Sequence, residues 1–223
     1  MRRVFSSIAV CATLAAAWPA AAAPPDKPAP IGPDAVWNPP AGFNEKFRAA
    51  CAKLEGAKFS DCFVDQMAKA GASPQAVAFA KRVDGMGFAR SFHDEGAVDV
   101  VWAEYPYRAN ENRVCLLVNG DPPIVDVDDL SRFDRNDLKR LPIWNTVLKR
   151  HPKAEIFPAD REDSRMPIAH HVAGGETRFL VGYEIHDGCH ACALIGTMRV
   201  FWNFDASGKF LGTQVKAVRR GKG

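Results

Sequence analysis

The stretch Tyr183-Glu184-Ile185-His186-Asp187-Gly188-Cys189-His190-Ala191-Cys192 concentrates the residue types that do chemistry. Two cysteines stand two residues apart, beside two histidines and an aspartate. Three chemistries fit this spacing. As an oxidised pair, Cys189 and Cys192 would stiffen a turn. As thiolates, with His186 or His190 as a further ligand, they would suit Zn(II) or Cu(I). As an exchanging CxxC pair, they would draw on a neighbouring imidazole to stabilise a thiolate.

The surrounding sequence ranks these readings. A CxxC without a second CxxC or an HxxxH is half a zinc signature, and His190 directly follows Cys189. A closed tetrahedral site would need help from elsewhere, for example His170 or His171. A thioredoxin-like CxxC follows a strand and opens a helix, whereas residues 193–200 read as a strand. Ala193 follows Cys192, so the CxxCH of covalent haem attachment is absent. The expectation is a local disulfide in a loop between two strands. The metal and redox uses of His186, Cys189, His190 and Cys192 stand as the alternative.

The other cysteines divide by position. Cys51 falls near the end of one helical pattern and Cys62 near the start of the next, so an αα-hairpin brings them within disulfide reach. Cys115 lies in the apolar run Val114-Cys115-Leu116-Leu117-Val118 and reads as a small buried hydrophobe. Cys11 is expected to leave with the signal segment.

That segment is residues 1–23. Arg2-Arg3 precede an uncharged apolar stretch, and Ala20 to Ala23 supply small residues for cleavage, the pattern of a secretory signal peptide. Arg2-Arg3 is also a fragment of a twin-arginine signal. No later window reaches about 18 uninterrupted apolar residues, so no span is expected in the processed chain. The expected location is secreted or periplasmic, where disulfides persist.

Residues 24–41 contain seven prolines and read as a Pro-rich linker, with Trp37 as an anchor to the surface. One domain is expected over 42–223. The helical period runs from 43 to 85: Phe43, Phe47, Cys51 and Leu54 form one stripe, closed by Gly56. Ser60 is a plausible N-cap for a second helix, and Ser73-Pro74 opens a third. Phe88 and Phe92 suggest a further helical turn. From 97 the period is that of strands, interrupted by a helical stretch over 134–150 that Pro142 breaks. Strands follow at 156–157, 179–185, 193–204 and 210–218, the last two joined by a turn at 205–209. The expected class is α+β, with N-terminal helices packed on a mainly antiparallel sheet. A curved sheet wrapping helices, as in cystatin-like or NTF2-like folds, is one arrangement this order allows.

The 223 residues carry a formal charge of +3, which falls to +1 without Arg2 and Arg3 and excludes a strongly basic nucleic-acid binder. The acidic run Asp126, Asp128, Asp129, Asp134 and Asp137 lacks the glycine and glutamate of an EF-hand and reads as a loop with caps. His170-His171 read as solvated loop residues, Asp160 to Arg165 as a charged loop, and Tyr105-Pro106-Tyr107-Arg108 as strand-end packing or a pocket wall. No GxSxG, HExxH, Walker A or GxGxxG motif occurs. The functional expectation is an exported accessory or binding protein, leaning away from enzyme, whose partner is an envelope protein or a small-molecule ligand. The alternative is a zinc- or copper-handling or thiol–disulfide protein.

Overall fold

The structure is a computed structural model that describes residues 28–108, 112–159 and 166–221. The signal peptide expected at 1–23 lies outside the described residues.

The chain is α+β, as expected. Three helices come first: α1 (Phe43–Cys51), α2 (Gly56–Lys69) and α3 (Pro74–Arg82). Strands β1 (Phe88–His93), β2 (Asp99–Glu104), β3 (Arg113–Val118) and β4 (Ile124–Asp126) form one sheet in sequential order. Helices α4 (Arg135–Arg140) and α5 (Pro142–Arg150) follow. Strands β5 (Ala154–Pro158), β6 (Ile168–His171), β7 (Thr177–Asp187), β8 (Leu194–Phe204) and β9 (Phe210–Arg220) form a second sheet in the order β5-β7-β8-β9, with β6 also on β7. Every strand pairing is antiparallel. The strands are therefore shared between two sheets.

Burial on both faces explains the first sheet's apolar runs. Val98, Val100, Trp102, Cys115 and Leu117 face the second sheet, in one core with Phe179, Val181, Ile185, Val200 and Trp202. Val101, Ala103, Val114, Leu116 and Val118 alternate to the other face and pack against Phe79 and Val83 of α3. The remaining helical face closes around Phe43, Phe47, Phe63 and Phe88, next to the Cys51–Cys62 disulfide, whose Cα atoms lie 6.0 Å apart. Two local expectations change here. Gly56 begins α2 rather than closing α1, and Ser60 lies inside that helix. Phe88 and Phe92 belong to β1, because tertiary pairing with β2 overrides a helical spacing.

Packing extends upstream of Gly42. Ile31, Ala35 and Trp37 are buried. Asn119 holds this arm: its Oδ1 accepts from the Ile31 N–H at 2.7 Å and its Nδ2 donates to the Ile31 carbonyl at 2.7 Å. The same amide donates to the buried Asp99 carboxylate at 2.6 Å. Trp37 meets Phe43 and Phe88 edge-on, at 4.9 and 5.2 Å.

The two sheets touch where the turn after β3 meets the β8–β9 turn. Asp121 N–H donates to the Gly208 carbonyl, and Phe210 N–H to the Asp121 carbonyl, both at 2.8 Å. A Cβ on Gly120 would lie 2.5 Å from that Gly208 oxygen, so the approach requires glycine. Helices α4 and α5 cover the rest of the second sheet's inner face. Asp134 caps α4 by accepting from Asn136 N–H, and Pro142 ends it and starts α5. The opposite face of this sheet alternates to exposed residues such as Thr197 and Arg199.

Candidate functional site

The CxxC stretch is the connection of the β7–β8 hairpin. Cys189 and Cys192 are disulfide-bonded, with Cα atoms 5.0 Å apart, and Cys192 N–H donates to the Cys189 carbonyl at 2.9 Å. Asp187 N–H donates to the Ala193 carbonyl at 3.0 Å, where the ladder resumes. Cys189 is exposed and Cys192 half-buried. Cys115 is buried in β3, outside both disulfides.

The histidines of the loop are packed and bonded. His186 is buried, with Nδ1 3.0 Å from the Cys192 carbonyl and Nε2 3.1 Å from Glu184 Oε2. A carbonyl only accepts, so Nδ1 carries the proton in that contact. The His190 ring stacks on Phe157 of β5, with centroids 5.0 Å apart and planes inclined by 24°. Phe157 meets His186 edge-on at 5.5 Å. Asp187 is held by His151 Nδ1 at 3.0 Å.

This arrangement does not gather thiolates and imidazoles around one point. The two sulfurs are bonded to each other, and both nitrogens of His186 are engaged. Among the described residues, no group of three or more His, Cys, Asp or Glu side chains converges as a metal site. His170 and His171 lie on β6, where His170 pairs with Arg178. Eight residues of β7 separate Arg178 from His186, roughly 26 Å of strand, so neither can complete a site at the hairpin end. They lie on a strand rather than in the expected loop, and His171 contacts Glu95 at 3.5 Å.

Phe157 connects the loop to a cavity of about 590 Å³ between α4–α5 and β5. Its apolar lining includes Phe133, Leu138, Trp144, Leu148, Ile156 and Phe157. Asp128, Lys139 and Glu155 are the charged groups that line it. Strand β5 closes one side because its only partner among the described residues is β7. The wall beneath is rigid: Phe133 meets Tyr183 edge-on at 4.9 Å. Trp202 Nε1–H donates to Tyr183 Oη at 3.0 Å, and Tyr183 O–H donates to the Val127 carbonyl at 2.7 Å. Burial pushes the Tyr183 phenol pKa well above its ordinary value.

Sequence reasoning found the loop but not the cavity. Trp144, Leu148 and Phe157 are ordinary apolar residues of a helix and a strand. Only the fold, by setting α4–α5 and β5 around one space, makes them a lining.

Tyr105 to Arg108 and the acidic run resolve into packing and caps, while the charged loop expected at Asp160 to Arg165 lies outside the described residues. Tyr107 stacks on Phe47 at 4.3 Å, and the Arg108 guanidinium lies 3.5 Å from the Tyr105 ring centroid. Asp129 accepts from the Ser131 hydroxyl and from Ser131 N–H, and that hydrogen bonding, the hydroxyl first, lowers its carboxyl pKa.

No family model matches the sequence, and neither the curated proteins nor the solved structures hold a significant match.

Proposed function

We propose that this chain is an exported binding protein that holds a small apolar or amphipathic ligand between α4–α5 and β5. The observation that carries the reading is the cavity itself. Ligand pockets are concave, about 300–1,000 Å³, and mostly apolar with a few polar groups. A volume of about 590 Å³, a mostly apolar lining and the three charged groups Asp128, Lys139 and Glu155 match that description. Export is supported by the two disulfides and by the signal-peptide pattern over 1–23. No helix among the described residues is long and apolar enough to cross a membrane. The cystine loop at 186–192 then has a structural role, holding His190 against the strand that borders the cavity.

A second reading, thiol–disulfide exchange at Cys189 and Cys192, is favoured by the exposure of Cys189 beside two imidazoles.

The test is a fluorescence titration of the oxidised protein with the neutral probe 1-N-phenylnaphthylamine. Saturable one-to-one binding is expected. Leu148→Trp adds bulk at the half-buried lining position on α5 and should weaken binding about tenfold, equivalent to about 1.4 kcal/mol. A folded protein that does not bind the probe, or a variant that binds it unchanged, refutes the reading.

A further inference from the structure

The outer face of the second sheet carries a separate hollow of about 430 Å³. The rows of the sheet explain its shape. Gly182, Arg199 and Ala217 pair across β7, β8 and β9, so Arg199 rises between two neighbours without bulk. Glu184, Thr197 and Arg219 form the next row.

A bulge explains its charge. Val200 pairs with Val215 and Arg199 pairs with Ala217, which leaves Lys216 as the extra residue of β9. Val215 and Val218 both pack against the core, a spacing of three that a regular strand of period two cannot provide. The bulge absorbs the odd residue. Lys216 and Arg219 then line the same hollow as Arg199. Lys216 Nζ lies 5.8 Å from the ring of Phe201, which neighbours Leu180 on this face.

Arg199, Lys216 and Arg219 are exposed and form no ion pair among the described residues. The only acidic side chain lining the hollow among the described residues, Glu184, is bonded to His186. Leu180, Ala159 and Ala217 supply apolar surface between the charges.

We propose that this hollow binds a compact organic anion, an oxyanion group of the phosphate or carboxylate class carried on a small apolar body. Two guanidinium groups offer forked donors to such an oxyanion, and the ammonium adds a third positive charge. The apolar body would lie against Leu180 and Ala159. This site is independent of the cavity under α4–α5.

Isothermal titration calorimetry with phenyl phosphate on the full oxidised chain tests the proposal. Saturable one-to-one binding is expected. Arg199→Ala should weaken it about tenfold, and Lys216→Ala and Arg219→Ala about threefold each. Raising salt from about 20 to about 200 mM should weaken it further, because the charges are exposed. Benzyl alcohol, of similar shape and no charge, should not bind. Lys149→Ala, on exposed α5, should leave affinity unchanged. Absence of binding, equal loss in Lys149→Ala, or no loss in the Arg199, Lys216 and Arg219 variants overturns the proposal. Sedimentation with phosphatidylglycerol vesicles separates the sources of such a group. Capture on vesicles without phenyl phosphate binding would assign the face to a lipid surface and overturn the compact-ligand reading.

Discussion

The imidazole of His190 lies flat against the ring of Phe157, 5.0 Å between centroids. One residue belongs to a disulfide-closed hairpin loop and the other to the strand bordering the apolar cavity. The contact ties the most conspicuous motif in the chain to the cavity under α4–α5. Replacing Cys189 and Cys192 together by serine opens a loop of three-residue separation, and loop entropy sets that cost at about 2 kcal/mol. An aromatic pair contributes about 1 kcal/mol to stability, so loss of the stack adds to that cost, and releasing Phe157 at the cavity edge should also weaken cavity binding. Urea denaturation and probe titration of the double variant measure both. Complete loss of function in a stable, folded double variant would assign the function to cysteine chemistry.

The second disulfide acts on the helical layer. Cys51 and Cys62 close a separation of 11 residues between α1 and α2, and their removal as serines should cost about 3 kcal/mol. Cavity binding should be unaffected at temperatures where the variant is folded, because this disulfide lies in the aromatic cluster of α1–α3 rather than beside the cavity. Thermal denaturation with and without probe separates the two effects.

Tyr183→Phe removes one hydroxyl and leaves two buried groups without it, the Val127 carbonyl and Trp202 Nε1–H. An unsatisfied buried group costs about 1–3 kcal/mol. The variant should lose stability in that range, seen as a lower urea midpoint with an unchanged slope.

All three tyrosines have raised pKa values. Burial pushes Tyr105 and Tyr107 up to about 12, and Tyr183 well above its ordinary range. A phenol whose folded pKa exceeds its unfolded value favours the folded state at every pH below about 10. That contribution is lost as pH rises from about 10 through the folded pKa. Absorbance titration at alkaline pH should therefore show no tyrosine ionisation near pH 10 in the native protein. Ionisation should appear together with unfolding. A native step near the ordinary phenol pKa would contradict the packing of Tyr105 and Tyr107.

Local chemistry made much of the fold legible. Ser73 and Pro74 open α3, and the Ser73 hydroxyl accepts from Ala76 N–H at 2.9 Å as the cap pattern implies. Pro142 separates α4 from α5, and residues 205–209 turn the last hairpin. Both cysteine pairs follow from spacing within adjacent elements. What was not legible depends on distant pairing. Phe88 and Phe92 have helical spacing, yet β2 recruits them into a strand. His170 and His171 join β7 through an edge strand of four residues, too short to show a period. The packing of the two sheets on each other includes contacts between the turns at 121 and 208, far apart in the chain. The cavity rests on α4, α5 and β5 bordering one space, an arrangement with no sequence motif.

The central claim is that the space between α4–α5 and β5 holds an apolar ligand. A crystal structure of the oxidised protein grown with 1-N-phenylnaphthylamine tests it most directly. The expected result is probe density in contact with Trp144, Leu148 and Ile156, with the 189–192 disulfide intact and His190 still stacked on Phe157. A cavity filled by water alone, with the probe absent or bound elsewhere, would contradict it.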